Sequence, residues 1–305
     1  MDGRRLLVTG ATAGLGFFSA LELARLGATV VLAGRSAERL DAAERAIRAE
    51  LPDASIERLT IDTADLASVR AAADELATRA AAGDRLDGMM LNAGLIHTPR
   101  RRETSVDGHE LTLATNALGH FALVARALRL GALADGARIV WLGSMSTRLY
   151  IPATTAFGDP QLRAGYGANR AYAQSKLAAQ VLGVELDRRL RAAGSGVESV
   201  LAHPGYSIGG LTRRVEGIHE PPAWKRARDL AQVPLTLAQG KEAGARSQVA
   251  ALVSPQVRGG DFVGPRFGVR GAPAIVDATP STYRVETGER LWRSAVEWTG
   301  EDPGL

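Results

Sequence analysis

Short apolar runs alternate with longer amphipathic stretches along most of the chain. The runs have the length and the Val, Leu and Ile content of buried strands. They cover residues 4–9, 29–33, 55–61, 86–91, 137–142 and 197–202. The stretches between them repeat their apolar positions with helical spacing, over residues 15–26, 37–50, 66–80, 106–130 and the region around 172–176. This alternation predicts an α/β fold, a single doubly wound Rossmann domain whose parallel sheet has helices on both faces.

The alternation stops after the sixth run. Residues 206–232 carry mixed charges and two adjacent prolines, Pro221 and Pro222, and they predict an insertion that forms a candidate lid over a site. A helix at 237–253, a strand near 261–263 and a final helix at 286–299 follow. Because the sequence has no internal repeat and no linker, we expect one domain over residues 1–305.

Composition narrows the classes of site. The chain has no cysteine, which excludes disulfides, thiol nucleophiles and cysteine-based metal sites. His97, His120 and His203 lack metal-ligand spacing, so we expect no metal. The pI is 9.7, but the basic runs at 100–102 and 213–214 lack interleaved aromatic residues, so we expect no nucleic-acid partner. No apolar run long enough to span a bilayer and no signal-peptide pattern are evident, which predicts a cytoplasmic protein.

A glycine-rich turn follows the first predicted strand and opens a helix. Gly10 permits the tight turn, Gly14 lets the backbone approach a pyrophosphate, and Gly16 lets the helix pack on the sheet. An ordinary glycine-rich turn is the alternative, but the order strand, turn, helix favours dinucleotide binding. The expected contacts are Gly10, Thr12, Ala13, Gly14, Leu15 and Gly16.

The second strand ends in a basic residue. Dinucleotide folds that use NAD carry an acidic residue here for the ribose hydroxyls, whereas this chain has Arg35, with Arg39 one turn later. A guanidinium suits the 2′-phosphate of NADP. An exposed arginine at a helix start is the alternative, and the pattern favours NADP(H). Asp62, at the end of the third strand, is a candidate for reading the adenine amino group, and Asp65 is expected to cap the next helix.

A tyrosine and a lysine lie four residues apart in a predicted helix. Tyr172 and Lys176 therefore share one helix face, and a nearby ammonium is expected to lower the pKa of the phenol toward neutrality. The motif alone is weak, because a surface tyrosine and a solvated lysine are common. However, the chain has three lysines among its 37 basic residues, which makes a lysine at this position unlikely to be background.

Two further polar residues lie at informative positions. Ser144 follows the fifth strand, at the carboxyl end where parallel sheets bind ligands. Asn116 lies inside the predicted 106–130 helix, where an asparagine is mildly unfavourable and is retained if it bends the helix and holds a water. A solvated asparagine is the alternative.

Together these motifs resemble the short-chain dehydrogenase/reductase family, in particular its retinol-dehydrogenase-like group. The matching stretches are TGATAGLG (9–16), LNAG (91–94), TNALGHF (115–121), LGSMS (142–146), YAQSK (172–176) and HPG (203–205). The group-specific stretches are AGRS (33–36), GGDFVGP (259–265) and LWRSAVEWTG (291–300). The resemblance covers about residues 4–300.

The resemblance implies a role for each matching residue. Tyr172 would be the acid or base, Lys176 would hold the nicotinamide ribose, and Ser144 would bind the substrate oxygen. Asn116 would hold the water of a proton relay. The remaining cofactor contacts would come from Asn92, Ala93 and Gly94 beside the adenosine ribose, and from Pro204 and Gly205 beside the carboxamide.

One position departs from the family pattern. Members often carry threonine four residues after the glycine of the proline-glycine pair, where it binds the carboxamide and diphosphate, and here that residue is Gly209. Ser207 or Thr212 is the expected substitute. The sequence thus favours an NADPH-dependent reductase of ketones or aldehydes, reversible in principle, with a non-catalytic NADP(H)-binding regulator as the rival. Apolar lid residues suggest a bulky apolar or aromatic substrate: Tyr206, Ile208, Leu211, Ile218 and Trp224. The family leads us to expect a homo-oligomer.

Overall fold

A computed structural model describes residues 1–147, 157–218, 222–232 and 237–305. These residues form one sheet of eight strands in the order β3-β2-β1-β4-β5-β6-β7-β8. The strands are β1 (Arg5–Thr9), β2 (Thr29–Gly34), β3 (Ile56–Thr60), β4 (Leu86–Leu91), β5 (Leu133–Leu142), β6 (Glu198–Ala202), β7 (Phe262–Pro265) and β8 (Pro273–Ile275). The pairs from β3 to β7 are parallel, and the strand order reverses between β1 and β4, where such sheets bind ligands. The predicted doubly wound Rossmann fold is confirmed.

Helices cover both faces of this sheet. They are α1 (Gly14–Arg25), α2 (Ala37–Glu50), α3 (Leu66–Ala81), α4 (Leu111–Leu113), α5 (Gly119–Arg129), α6 (Ala168–Ala192), α7 (Ala223–Gln232), α8 (Lys241–Val253) and α9 (Val285–Thr299). One buried cluster joins the sheet to α3, α5, α6 and α9, and it includes Phe121 and Trp292. A second cluster joins the other face to α1, α2 and α8, and it includes Phe17 and Val249. The central strands β1, β2 and β4 are therefore buried from both sides, which is why their sequences are mostly apolar, whereas the edge strands β3 and β8 are largely accessible.

The predicted 106–130 helix is wrong in its first turn and in its centre. Glu110 begins the helical segment, since its carboxylate accepts hydrogen bonds from the N–H groups of Thr112 (2.9 Å) and Leu113 (2.7 Å). The backbone then forms a π-helical turn at Ala114–Leu118 before α5. Helical periodicity does not reveal such a turn, because it inserts one residue without breaking the apolar pattern.

The same segment has the length and composition of a membrane span. Residues Leu111–Arg129 reach a mean hydropathy of 1.2, which the sequence analysis did not anticipate. However, 78% of that window is buried inside the protein. A core helix has the same composition, and the burial here fits that interpretation.

The last strand of the sheet was not predicted. β8 runs antiparallel to β7, with Val263 opposite Ile275 and Pro265 opposite Pro273. It is a short edge strand that begins with proline, so it carries neither the length nor the apolar run that identified the others. The sheet is therefore mostly parallel rather than wholly parallel. The helix expected at 237–253 begins later, at Lys241.

The candidate lid is tied together at its base. The backbone of Gln239 bonds to both Tyr206 and Ile208: its N–H donates to the carbonyl of Tyr206 at 3.0 Å, and its carbonyl accepts from the N–H of Ile208 at 3.0 Å. Within the lid, the Arg226 guanidinium of α7 donates to the carbonyl of Thr212 at 3.1 Å. Ile218 is partly buried and packs against the core cluster that includes α1. Pro221 and residues 219–220 and 233–236 lie outside the described residues.

Candidate active site

The carboxyl ends of β1 and β4 are joined by hydrogen bonds. The hydroxyl of Thr9 accepts from the N–H groups of Asn92 and Ala93, each at 2.9 Å. In return, the Asn92 amide donates to the carbonyl of Thr9 at 2.8 Å and, more weakly, to that of Gly10 at 3.4 Å. The two loops predicted to bind the cofactor are therefore hydrogen-bonded to each other at the point where the strand order reverses.

The glycine-rich turn fits a diphosphate. Gly10 and Gly14 adopt φ values of +65° and +58°, a region that favours glycine. Ala13 precedes α1 without any side-chain cap, and the first turn of α1 contains no acidic residue. The N–H groups that begin α1, at Gly14, Leu15 and Gly16, are thus arranged for an anion from outside the helix. The turn has the shape and the electrostatics of a dinucleotide cradle.

The residues predicted to read the adenosine end lie around the end of β2. Arg35 and Arg39 are both exposed, and neither guanidinium forms an ion pair with another described residue. The methyl group of Thr12 packs near Gly34, which brings the glycine-rich turn next to Arg35. Asp62 is half-buried, and its carboxylate accepts from the N–H of Ala64 at 2.9 Å.

Ser144 and Tyr172 meet at the carboxyl end of β5. The Tyr172 side chain forms a hydrogen bond with Ser144, and the Ser144 hydroxyl also accepts from the hydroxyl of Ser146 at 3.0 Å. Burial raises the pKa of Tyr172 above its usual value of about 10, and the bond to Ser144 offsets part of that rise. The predicted lowering of this pKa by Lys176 is therefore wrong for this arrangement, because burial raises the pKa and the bond to Ser144 is what opposes that rise.

Lys176 is almost completely buried. Its Nζ donates to the carbonyl of Leu142 at 2.9 Å and approaches Gly94, whose ideal Cβ position lies 3.6 Å away. Burial lowers the pKa of Lys176 to about 8. The amine is therefore mostly protonated at neutral pH, and a modest rise in pH would deprotonate it. A buried cation under the loop after β4 is chemically suited to polar contacts with a ribose.

Asn116 occupies the π-helical turn and joins three segments. Its amide accepts from the N–H of Leu95 at 2.7 Å, and it donates to the carbonyl of Leu95 at 3.2 Å and to the hydroxyl of Ser175 at 2.9 Å. Ser175 in turn donates to the carbonyl of Tyr172 at 2.8 Å. The solvated-asparagine alternative is therefore wrong, since Asn116 is buried and fixes the loop after β4 to the helix that carries Tyr172.

His120 is a buried residue of the site that the sequence analysis did not assign. Its Nε2 lies 3.0 Å from the hydroxyl of Thr9, and its Nδ1 lies 3.4 Å from the carbonyl of Asn116. The Thr9 hydroxyl already accepts from two backbone N–H groups, so it can only donate toward the ring, and the shorter contact to Nε2 favours the tautomer in which Nδ1 carries the proton; the carbonyl of Met90, at 3.3 Å, is the longer alternative acceptor of this hydroxyl. Burial and the nearby Lys176 lower the pKa of His120 to about 3, which agrees with a neutral ring.

This burial makes the stability of the protein depend on pH. In the unfolded chain His120 binds a proton as the pH falls through about 6.5, whereas in the folded chain it stays neutral down to a pKa of about 3. Lowering the pH from 7 to 5 should therefore cost about 2 kcal/mol of unfolding free energy through this one group. The measurement is urea unfolding at both pH values for the wild type and for His120→Asn.

The variant is expected to lose about 2 kcal/mol less than the wild type over that pH interval, whatever its absolute stability. His97→Asn is the matched control, because His97 is an exposed histidine. An equal pH dependence in the wild type and in His120→Asn would contradict the neutral buried ring.

The segment after β6 turns back on itself. His203 is buried and its Nδ1 accepts from the N–H of Gly205 at 3.2 Å. The carbonyl of Pro204 accepts from the Ser207 hydroxyl at 2.9 Å and from the Gln239 amide at 2.8 Å. Gln239 belongs to no sequence motif, so its contact with Pro204 could be found only in the folded structure. Among the described residues, no group of three His, Asp or Glu side chains is placed to hold a metal ion.

The fold and the site define a class of protein, an α/β dinucleotide-binding fold with a hydroxyl pair beside its glycine-rich turn. A family model described as short chain dehydrogenase matches residues 4–158. The chain is 35% identical to polyprenol dehydrogenase of Mus musculus, with 99% of this chain and 85% of that protein covered. It is 32% identical to retinol dehydrogenase 13 of Homo sapiens, with 98% and 86% covered.

Solved structures agree with these relatives. An uncharacterized protein from Mycobacterium paratuberculosis has a TM-score of 0.78 at 32% identity, with 100% of this chain and 96% of that chain covered. A short chain dehydrogenase from Burkholderia cenocepacia J2315 in complex with NADP has a TM-score of 0.63 at 26% identity, with 89% and 98% covered. The chain belongs to the short-chain dehydrogenase/reductase family, in its retinol-dehydrogenase-like group. It is therefore an oxidoreductase of alcohols and carbonyls that uses a nicotinamide cofactor.

Proposed function

We propose that the protein is an NADPH-dependent reductase of apolar ketones or aldehydes, and that it oxidises the corresponding alcohols in the reverse direction. The observation that carries this proposal is the hydrogen-bonded pair of Ser144 and Tyr172 at the end of β5, with Lys176 buried one helical turn from Tyr172. A proton donor, an oxyanion partner and a buried cation are the groups that carbonyl reduction requires.

Each residue of the site has a separate role in the proposed reduction. The bound dinucleotide supplies the hydride to the carbonyl carbon. Tyr172 donates its proton to the carbonyl oxygen, and as a phenol it is protonated at neutral pH and so is available as the acid. Ser144 donates a hydrogen bond to the same oxygen as negative charge develops there. Lys176 holds the nicotinamide ribose, and Asn116 keeps the loop after β4 and the helix of Tyr172 in register.

The preference for NADP(H) over NAD(H) is proposed from the end of β2. Arg35 and Arg39 are exposed, lie on either side of the Ser36 cap of α2, and face no carboxylate among the described residues. Two free guanidinium groups next to the adenosine end of the cradle favour a 2′-phosphate. The similarity to a solved dehydrogenase in complex with NADP supports the same preference.

Arg35→Ala tests this preference. Removing one charge-assisted contact to the 2′-phosphate should weaken NADPH binding by about tenfold to a hundredfold, while the dissociation constant of NADH changes by less than about threefold. Arg45→Ala is the matched control, since Arg45 is an exposed arginine farther along α2, and both constants should stay at the wild-type values. Isothermal titration calorimetry measures all of them, and equal weakening of NADPH and NADH would contradict the proposal.

The substrate class is proposed from the rim of the site. Met145, next to Ser144, lies 3.6 Å from the ideal Cβ position of Gly268, so the loop between β7 and β8 borders the site. Two rings of this region are exposed, at 74% for Phe267 in that loop and 47% for Tyr206, whose N–H donates to the carbonyl of Val269 in the same loop. Exposed aromatic residues at a ligand entrance favour a bulky apolar molecule. Because two relatives are named polyprenol and retinol dehydrogenases, isoprenoid aldehydes and alcohols are the first compounds to test.

The substrate can be identified directly. The purified protein is incubated with NADPH and an extract of metabolites from the source cells, or with retinal and a polyprenal as defined compounds, and the products are analysed by mass spectrometry. A compound that gains two hydrogens with the wild type and not with Tyr172→Phe would support the reductase. Tight NADPH binding with no conversion in either mixture would favour the non-catalytic regulator. The cytoplasmic location, the homo-oligomer and the single domain stay predictions.

A further inference from the structure

Gly209 leaves the diphosphate without the hydroxyl that family members often supply at this position. The two expected substitutes are already engaged. Ser207 gives its hydroxyl proton to the carbonyl of Pro204 at 2.9 Å, and Thr212 gives its own to the carbonyl of Ile208 at 2.8 Å. A hydroxyl has a single proton to donate, and a phosphate oxygen requires a donor. Neither residue can therefore replace the missing threonine without breaking a bond that holds the lid.

A different residue lies against the glycine-rich turn. The side chain of Lys241 extends from the first position of α8 along Gly14, and its Nζ, Cδ and Cε lie 3.2, 3.4 and 3.7 Å from the ideal Cβ position of that glycine. Gly14 is the first residue of α1, whose N-terminus has no side-chain cap and no acidic residue in its first turn. An ammonium group and a helix N-terminus both favour negative charge, so an anion between them would be stabilised by both.

The position of Lys241 is fixed by the lid itself. Its backbone N–H donates to the hydroxyl of Thr212 at 3.1 Å, and Gln239, two residues earlier, pairs with the backbone of Tyr206 and Ile208. Thr212 thus holds the start of α8 rather than contacting the cofactor. This arrangement couples the base of the lid to the side chain that lies over the glycine-rich turn.

We propose that Lys241 binds the diphosphate of the dinucleotide and takes the part of the threonine that is missing at Gly209. The diphosphate is common to NAD and NADP, so this inference rests on dinucleotide binding and not on the proposed cofactor preference or substrate. Failure of either of those proposals would leave it standing. It also assigns a task to one of the three lysines of an arginine-rich chain.

The test compares the dissociation constants of NADPH and NADH for Lys241→Met, Lys241→Arg and Arg246→Met, measured by calorimetry. Lys241→Met should weaken both cofactors by the same factor, about tenfold to a hundredfold, because it removes one charge-assisted contact to a group they share. Lys241→Arg should retain most of the affinity. Arg246→Met is the matched control, since it removes an exposed cation from the same helix, and it should bind both cofactors as the wild type does.

Two further readouts separate binding from structural damage. The dissociation constant of NADH should rise less steeply with salt concentration in Lys241→Met than in the wild type, because one screened ionic contact is lost. The thermal unfolding temperature without cofactor should stay close to that of Arg246→Met. Unchanged affinity in Lys241→Met would overturn the proposal, and so would weaker binding with an unchanged salt dependence.

Discussion

Replacing Tyr172 with phenylalanine should lower the rate of carbonyl reduction by about 10²- to 10⁴-fold, the range attributed to a general acid. The hydroxyl of Tyr172 is the group that meets Ser144 at the end of β5, and its raised pKa keeps it protonated at neutral pH. Phenylalanine fills the same space and removes only the oxygen. NADPH affinity should therefore change by less than about threefold, so the loss should appear in kcat rather than in cofactor binding.

A second tyrosine provides the control for this variant. Tyr166 is half-buried and donates its hydroxyl to the carbonyl of Pro99 at 2.9 Å, outside the hydroxyl pair. Tyr166→Phe should reduce stability by about 1 kcal/mol through the lost hydrogen bond and should keep turnover near that of the wild type. Stopped-flow measurement of NADPH consumption with a ketone or aldehyde substrate compares the two variants. Turnover in Tyr172→Phe within tenfold of the wild type would assign the proton donor to another group.

The sheet could be predicted from the sequence because its strands are buried on both faces. A strand covered by helices on both sides needs an apolar residue at nearly every position, and β1 and β2 show such runs, as does the second half of β5. The edge strand β8 has no such requirement and carries no such signal. The π-helical turn at Ala114–Leu118 escaped prediction because it inserts one residue without breaking the apolar pattern, and the contact of Asn116 with the loop after β4 is visible only in the folded chain.

The site shows the same division between local and tertiary signals. Ser144, Tyr172 and Lys176 could be chosen because their spacing places them at a strand end and on one helix face. The direction of the shift in the Tyr172 pKa could not be predicted, since it depends on how deeply the folded chain buries the phenol. His120 and Lys241 were missed for a related reason. Each is chemically unremarkable in sequence and gains a role only through its contact with Thr9 or Gly14.

Gly16→Ala should damage both the fold and the cofactor cradle. In the interior of a helix, alanine normally stabilises by about 1 kcal/mol relative to glycine. Here an ideal Cβ on Gly16 would lie 2.2 Å from the carbonyl oxygen of Gly10 and 2.4 Å from the amide nitrogen of Asn92, closer than atoms can approach. Because one obstacle is backbone, the turn or the helix must move, and the Asn92 bonds that join β1 to β4 are strained with it.

The clash should outweigh the helix propensity, so the unfolding free energy of Gly16→Ala should fall by about 2 kcal/mol and NADPH should bind more than tenfold more weakly. Gly167→Ala is the control, since that glycine precedes α6 in an extended conformation and an added Cβ would meet nothing closer than 4.0 Å. Denaturant unfolding and calorimetry measure both effects. A variant that is only less stable would still bind NADPH normally in its folded fraction. A loss of unfolding free energy together with a loss of NADPH affinity would therefore identify Gly16 as part of the cofactor site. A Gly16→Ala protein that is as stable as Gly167→Ala and binds NADPH normally would show that the turn does not require this close approach.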